Sequence, residues 1–201
     1  MEINSSFHRP HRRTTYERWA ANVPAGFRFA VKLPKAITHE RRLADAADLL
    51  ARFADEVAGL GRKRGPILVQ LPPSLAFDEH IARAFFDEAA RTLAGPIVCE
   101  PRHVSWFGPA ADALLIEHRA ARVAADPARV PAAAQPGGWR GLTYARWHGS
   151  PVVYRSAYDA AALADHARIA SDAAESWTIY DNTTLGAATA NALELLTLVS
   201  G

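Results

Sequence analysis

Cysteine is almost absent: Cys99 stands alone in 201 residues, so no disulfide can staple the chain internally, and a reducing compartment is its natural setting. Two apolar residues precede it, which predicts a buried core thiol. No apolar run approaches the roughly 18 residues of a membrane span, and nothing ahead of His8, Arg9, Arg12 and Arg13 has the apolar stretch of a secretory leader. The expectation is a cytoplasmic protein with no membrane partner. Neither sign of charge is in much excess, at +2 with the histidines neutral, so bulk charge gives no argument for nucleic acid. Low-complexity tracts and short repeats are missing as well. What is present is a chain 49% apolar and 22% charged, of ordinary globular composition and long enough for one domain over residues 1–201.

Apolar periodicity and breakers divide the chain into alternating elements. Strands are predicted at the opening stretch EINSSF and at 27–34, 65–73, 96–102, 122–126, 142–150 and 176–182. Helices are predicted at 14–23, 42–60, 77–95, 108–121, 156–174 and 186–199, with Asp78 as an N-cap and Gly95 as a stop. Between 126 and 141 three prolines leave no room for a good helix. Strands covered by helices in strict alternation predict a parallel sheet, doubly wound or closed into a barrel. Nearly every strand ends in ionisable or amide groups: Asn4, Lys32, Gln70, Glu100, Asp126, Arg146 and Asn182. A barrel collects all strand ends at one mouth, whereas an open sheet concentrates function at one switch point, so the pattern favours a TIM-barrel-like (β/α) barrel of seven parallel strands.

Several segments together resemble the YecE-like family, a domain of unknown function numbered 72. They are EINSSFHRP (2–10), FRFAVKLPKAITHERRL (27–43), GPILVQLPPSLAFD (65–78), EPRHVSWF (100–107), RWHGSPVVYRSAY (146–158) and YDNTTLGAATANALEL (180–195). They follow the family's order along the whole chain. The resemblance implies a TIM-barrel-like fold and carries no established reaction. It also implies that the chain lacks the family's first strand and helix, with Met1 standing where a valine is usual. On that reading either the natural start lies upstream or the barrel is truncated, and in the second case an unpaired barrel edge invites oligomerisation.

Period-two parity sorts strand residues into two faces. Ala30 and Lys32, Leu68 and Gln70, and Val98, Glu100 and Arg102 are predicted inward. So are Tyr144, Arg146 and His148, and Thr178, Tyr180 and Asn182, with Glu2, Asn4 and Ser6 joining the same ring. Glu100 and Arg102 are the sharpest pair, since a guanidinium two residues along a strand favours the ionised carboxylate. They read either as a general base beside an anion clamp or as a lumenal salt bridge. Lys32 is a Schiff-base or phosphate lysine, or the partner of Glu2 or Glu100. His148 reads as an acid/base group and Arg146 as an anion contact, with a structural histidine as the plainer alternative.

Around these, Arg9, His103 and Asp181 are candidate substrate contacts, while Asp181, Asn182 and Thr183 also suit a helix cap. Trp106 is a stacking platform or loop packing. The candidate catalytic set is Glu100, Lys32 and His148. Asp126, Asp181 and Glu100, with His39 or His148, are metal-ligand types, but no spacing such as HExxH supports them, so the cofactor is unknown with a divalent metal open. HRPHRR (8–13) and THERR (38–42) follow strands and would make the functional face electropositive. The expected partner is a small anionic ligand, and the expected activity is acid/base or metal-assisted chemistry on it. A non-catalytic binder of nucleic acid, stacking bases on Trp19, Trp106 and Trp147, is the alternative.

Overall fold

The computed structural model describes residues 1–200. Two compact units divide the chain, Met1–Trp106 and Phe107–Gly201. In the first, β1 (Glu2–Ile3) leads through α1 (Arg13–Ala21) to β2 (Phe29–Lys32), and α2 (Ala47–Val57) leads to β3 (Arg64–Gln70). Then α3 (Glu79–Thr92) precedes β4 (Ile97–Glu100). The strands β1, β2, β3 and β4 pair in parallel in that order. Two helices turn spaced apolar stripes inward, α2 with Leu50, Phe53 and Val57 and α3 with Ala82, Phe85, Phe86 and Ala89, while α1 buries Tyr16. Asp78 caps α3 by accepting from the Ile81 N–H at 3.1 Å, a contact worth about 1 kcal/mol.

The second unit holds α4 (Pro109–Glu117), β5 (Ala120–Arg122), β6 (Ala124–Asp126), β7 (Gly137–Gly138) and β8 (Thr143–Trp147). It closes with α5 (Ala160–Ala170), β9 (Ser176–Tyr180) and α6 (Ala187–Ser200). Here β6, β8 and β9 are parallel, while β5 and β7 pair antiparallel. Its apolar core gathers Ala145 and Trp147 of β8, Tyr158, Leu163 and Ile169 around α5, Tyr180 of β9 and Leu195 of α6.

The six helices lie where the apolar periodicity predicts them, and the fold is mixed α/β with parallel sheets and helices. Strand pairings among the described residues do not close into a barrel. Two strands depart from expectation. The opening strand stops at Ile3, and Asn4 starts a 3₁₀ turn over Ser5–Phe7, because the Ser6 hydroxyl bonds the Ile3 and Lys32 carbonyls. The strand expected over 122–126 is split at Val123, its first half turning to β7. Gly138 permits that pairing: its φ is +59°, and a Cβ would meet the Ala120 carbonyl at 2.7 Å. Among the described residues no helix is long and apolar enough to cross a membrane.

Candidate functional site

In the first unit the strand register builds the site. Lys32 stands opposite Leu68, Leu68 opposite Val98, and Gln70 opposite Glu100, so Lys32, Gln70 and Glu100 share one face at the C-terminal ends of three adjacent strands. Gln70 Nε2 donates to Glu100 Oε1 at 2.9 Å, and Arg102 donates to the same oxygen from Nε at 3.0 Å and Nη2 at 2.9 Å. Three donors on one oxygen stabilise its negative charge and hold the carboxylate rigidly. The Glu100 side chain is only 4% exposed, whereas Arg102 keeps 29%.

Lys32 is buried on the same face, with its Nζ 3.9 Å from the centroid of the Phe7 ring. Beside it, the chain after β2 runs through a π-helical turn at Ala36–Glu40 and then through positive φ at Arg42 (52°), Leu43 (73°) and Asp45 (46°). Such backbone is costly for residues with a Cβ. His39 lies within the π-helical turn. Its Nδ1 bonds the Thr38 hydroxyl at 2.8 Å and its ring stands edge-on to Phe7 at 4.9 Å. Burial first, then the charges of Lys32 and Arg102, push the His39 imidazole below its ordinary pKa. The result is a cationic cluster around one clamped carboxylate.

The remaining candidates of this unit divide. Glu2 stands opposite Ala30 and so shares the Lys32 face. Asn4 sits at the turn with its Oδ1 buried and unpaired. Ser6 is buried and spends its hydroxyl on backbone carbonyls, so it does not take the inward strand position that parity predicts. Arg9 is exposed on a groove shared with Lys35, Glu40 and Arg52. His103 bonds Ser105 in the loop after β4. Trp106 is 1% exposed, donates its indole N–H to the Leu75 carbonyl at 3.0 Å and packs edge-on to Phe77, which is loop packing rather than a platform.

In the second unit Arg146, His148 and Asp181 come together. Arg146 Nη2 lies 3.6 Å, and His148 Nε2 3.8 Å, from Asp181 Oδ2, while His148 Nδ1 is 3.2 Å from the Asp126 carbonyl. Tyr180 does not join them. The register sets Arg146 opposite Ile179 and Trp147 opposite Tyr180, so Tyr180 lies on the helix-facing side with its hydroxyl on His166 Nδ1 at 2.9 Å. Aromatic packing against α5 sets this parity and corrects the inward assignment of Tyr180 and Thr178. Asn182 is fully buried and donates to the Ser156 carbonyl and to Asn191 Oδ1, tying β9 to α6.

Sequence reading missed the part His39 plays beside Lys32, because a π-helical turn has no apolar period to announce it. It also missed His166, whose signal was present: it occupies the buried stripe Leu163, His166, Ile169 at a spacing of three. Among the described residues no group of three His, Cys, Asp or Glu side chains is placed to hold a metal.

A family described as "Protein of unknown function DUF72" matches residues 1–201. A crystal structure of a DUF72 family protein from Enterococcus faecalis V583 has a TM-score of 0.83 at 20% identity, covering 100% of this chain and 84% of that one. A DUF72 family protein from Thermotoga maritima MSB8 has a TM-score of 0.80 at 19% identity, covering 100% of this chain and 84% of that one. These likenesses bear on the fold. No curated protein matches the chain.

Proposed function

From the premise that the chain belongs to the DUF72 family, a family of unknown function, we propose that it is an enzyme using acid/base chemistry on a small anionic, phosphate- or carboxylate-bearing substrate. One observation carries the reading: a buried carboxylate, Glu100, is clamped by Gln70 and Arg102 on the strand-end face that also presents Lys32, with His39 beside it. Glu100 serves as the general base, and Lys32 and Arg102 attract and orient the anion. Arg146 and His148 keep the proposed parts of anion contact and proton transfer. The same reading takes the fold as TIM-barrel-like, supported by parallel strands alternating with helices in each unit and by polar groups at their C-terminal ends. The nucleic-acid alternative has less support, since Trp106 and Trp147 are 1% and 2% exposed and offer no stacking faces.

The test is a panel of phosphate monoesters and carboxylates incubated with the purified protein and followed by product detection. Against any turned-over compound, Glu100→Gln is expected to lower kcat by about 10²- to 10⁴-fold, the usual worth of a general base. Lys32→Met is expected to raise KM. Unchanged turnover in Glu100→Gln would remove the assignment.

A further inference from the structure

In the first unit the loops after β1 and β2 and one face of α2 frame a groove of ≈ 140 Å³. Its apolar surface comes from Phe7, Pro10, Pro34, Leu49 and Phe53. Leu49 and Phe53 stand four residues apart on α2 and so share one face, with Arg52 and Glu56 beside them at the same helical spacing. An apolar cavity of about 150 Å³ admits one benzene ring, so the capacity of this groove is a single ring.

Charge around the groove is unbalanced. The basic side chains His8, Arg9, Lys35 and Arg52 border it together with the acids Glu40 and Glu56. Both acids are occupied: Lys35 Nζ lies 3.2 Å from Glu40 Oε1, and Arg52 Nε lies 3.0 Å from Glu56 Oε1. Arg9 makes no ion pair among the described residues, and His8 packs edge-on to the Phe7 ring at 5.0 Å. One guanidinium therefore stands at an apolar groove with no counter-charge of its own. Its forked donors match the two oxygens of a carboxylate, which accept from it in parallel. A cationic ligand would be repelled by Arg9, and an uncharged ring would leave that charge unanswered.

Phe7 joins the groove to the cluster at the strand ends. The ring that lines the groove also lies 3.9 Å from Lys32 Nζ and meets the His39 ring edge-on at 4.9 Å. A molecule in the groove is thus one aromatic ring away from Lys32. We propose that this groove binds a monocyclic aromatic carboxylate, its ring against Phe7, Leu49 and Phe53 and its carboxylate on Arg9. Binding there needs no turnover at Glu100.

The test follows the Leu49 methyl signals of the full chain by carbon–proton NMR, assigned through their loss in Leu49→Met. Benzoate and phenylacetate are titrated separately, with acetate as the probe lacking the ring, benzyl alcohol as the probe lacking the charge and benzylammonium as the probe of opposite charge. The expected result is a saturable shift with at least one aromatic carboxylate, at lower concentration than with any of the three other probes. Arg9 is exposed, so Arg9→Gln is safe for folding; it should weaken that carboxylate about 5-fold and leave benzyl alcohol unchanged. Arg9→Lys keeps the charge without the fork and should fall between the two. Methyl signals unmoved by both aromatic carboxylates overturn the proposal, as does an equal response to acetate or benzylammonium, or an affinity unchanged in Arg9→Gln.

Discussion

The two units solve the problem of a charge pair at strand ends in opposite ways. In the first, the carboxylate is the buried partner, with the Glu100 side chain 4% exposed and Arg102 29%. In the second, the cation is buried, with Arg146 at 2% and Asp181 at 27%. The contacts differ in the same sense: Arg102 reaches Glu100 at 2.9 Å, while Arg146 stands 3.6 Å from Asp181. A carboxylate withdrawn from water depends on its donors, and Glu100 has three on one oxygen. An aspartate at the rim keeps part of its hydration and needs its partner less. The first arrangement suits a rigid base, and the second an adjustable contact.

Breaking the tighter pair should therefore cost most. Arg102→Met leaves Glu100 buried with only Gln70 of its two clamping side chains, and is expected to destabilise the protein by about 3 kcal/mol. Urea unfolding at pH 7 measures it. Adding Glu100→Gln should recover most of the loss, and a double-mutant cycle without coupling would show the pair to be independent.

The next effect is a pH dependence in the second unit. His166 is held down to about 4 by burial, against an ordinary value near 6.5. The unfolded chain binds the proton first as pH falls, so stability conferred above pH 6.5 is lost progressively down to about 4. The slope approaches about 1.4 kcal/mol per pH unit for one proton. Unfolding of wild type and His166→Gln between pH 7 and pH 4.5 checks it, the variant being expected to show the shallower slope. Equal slopes would remove His166 as the source. His39 in the first unit is lowered for the same first reason, burial, and works in the same direction.

The smallest effect is expected at the looser pair. Asp181→Asn should cost less than Arg102→Met, about 1–2 kcal/mol, because the contact is long and Asp181 keeps part of its hydration, while the Arg146 guanidinium it faces is buried. The same urea unfolding measures it. A loss exceeding that of Arg102→Met would reverse the contrast between the two units.

Much of the architecture was legible before any coordinates. Apolar periodicity, Asp78 as a cap, and glycine and proline as breakers located the helices, because these signals act within a few residues of chain. Parity along single strands brought Lys32, Gln70 and Glu100 to one face, and Arg146 with His148, for the same local reason. Parity failed at Tyr180, where both neighbours in sequence also suit a strand and only the pairing of Trp147 with Tyr180 decides the face. It failed at Ser6, whose hydroxyl found carbonyls of two separate strands.

By itself, then, the order of residues determined where helices and strands form and which chemical groups stand at their ends, since periodicity, capping and turn chemistry are properties of short stretches. Only the tertiary structure decided which groups meet. Three donors converge on one oxygen of Glu100, a π-helical turn holds His39 edge-on to Phe7 near Lys32, and His166 stacks on Trp147, whose indole N–H is unpaired. Gln70 reaches Glu100 from another strand and His166 reaches Trp147 from a helix, and only the packing of one element on another brings such residues together.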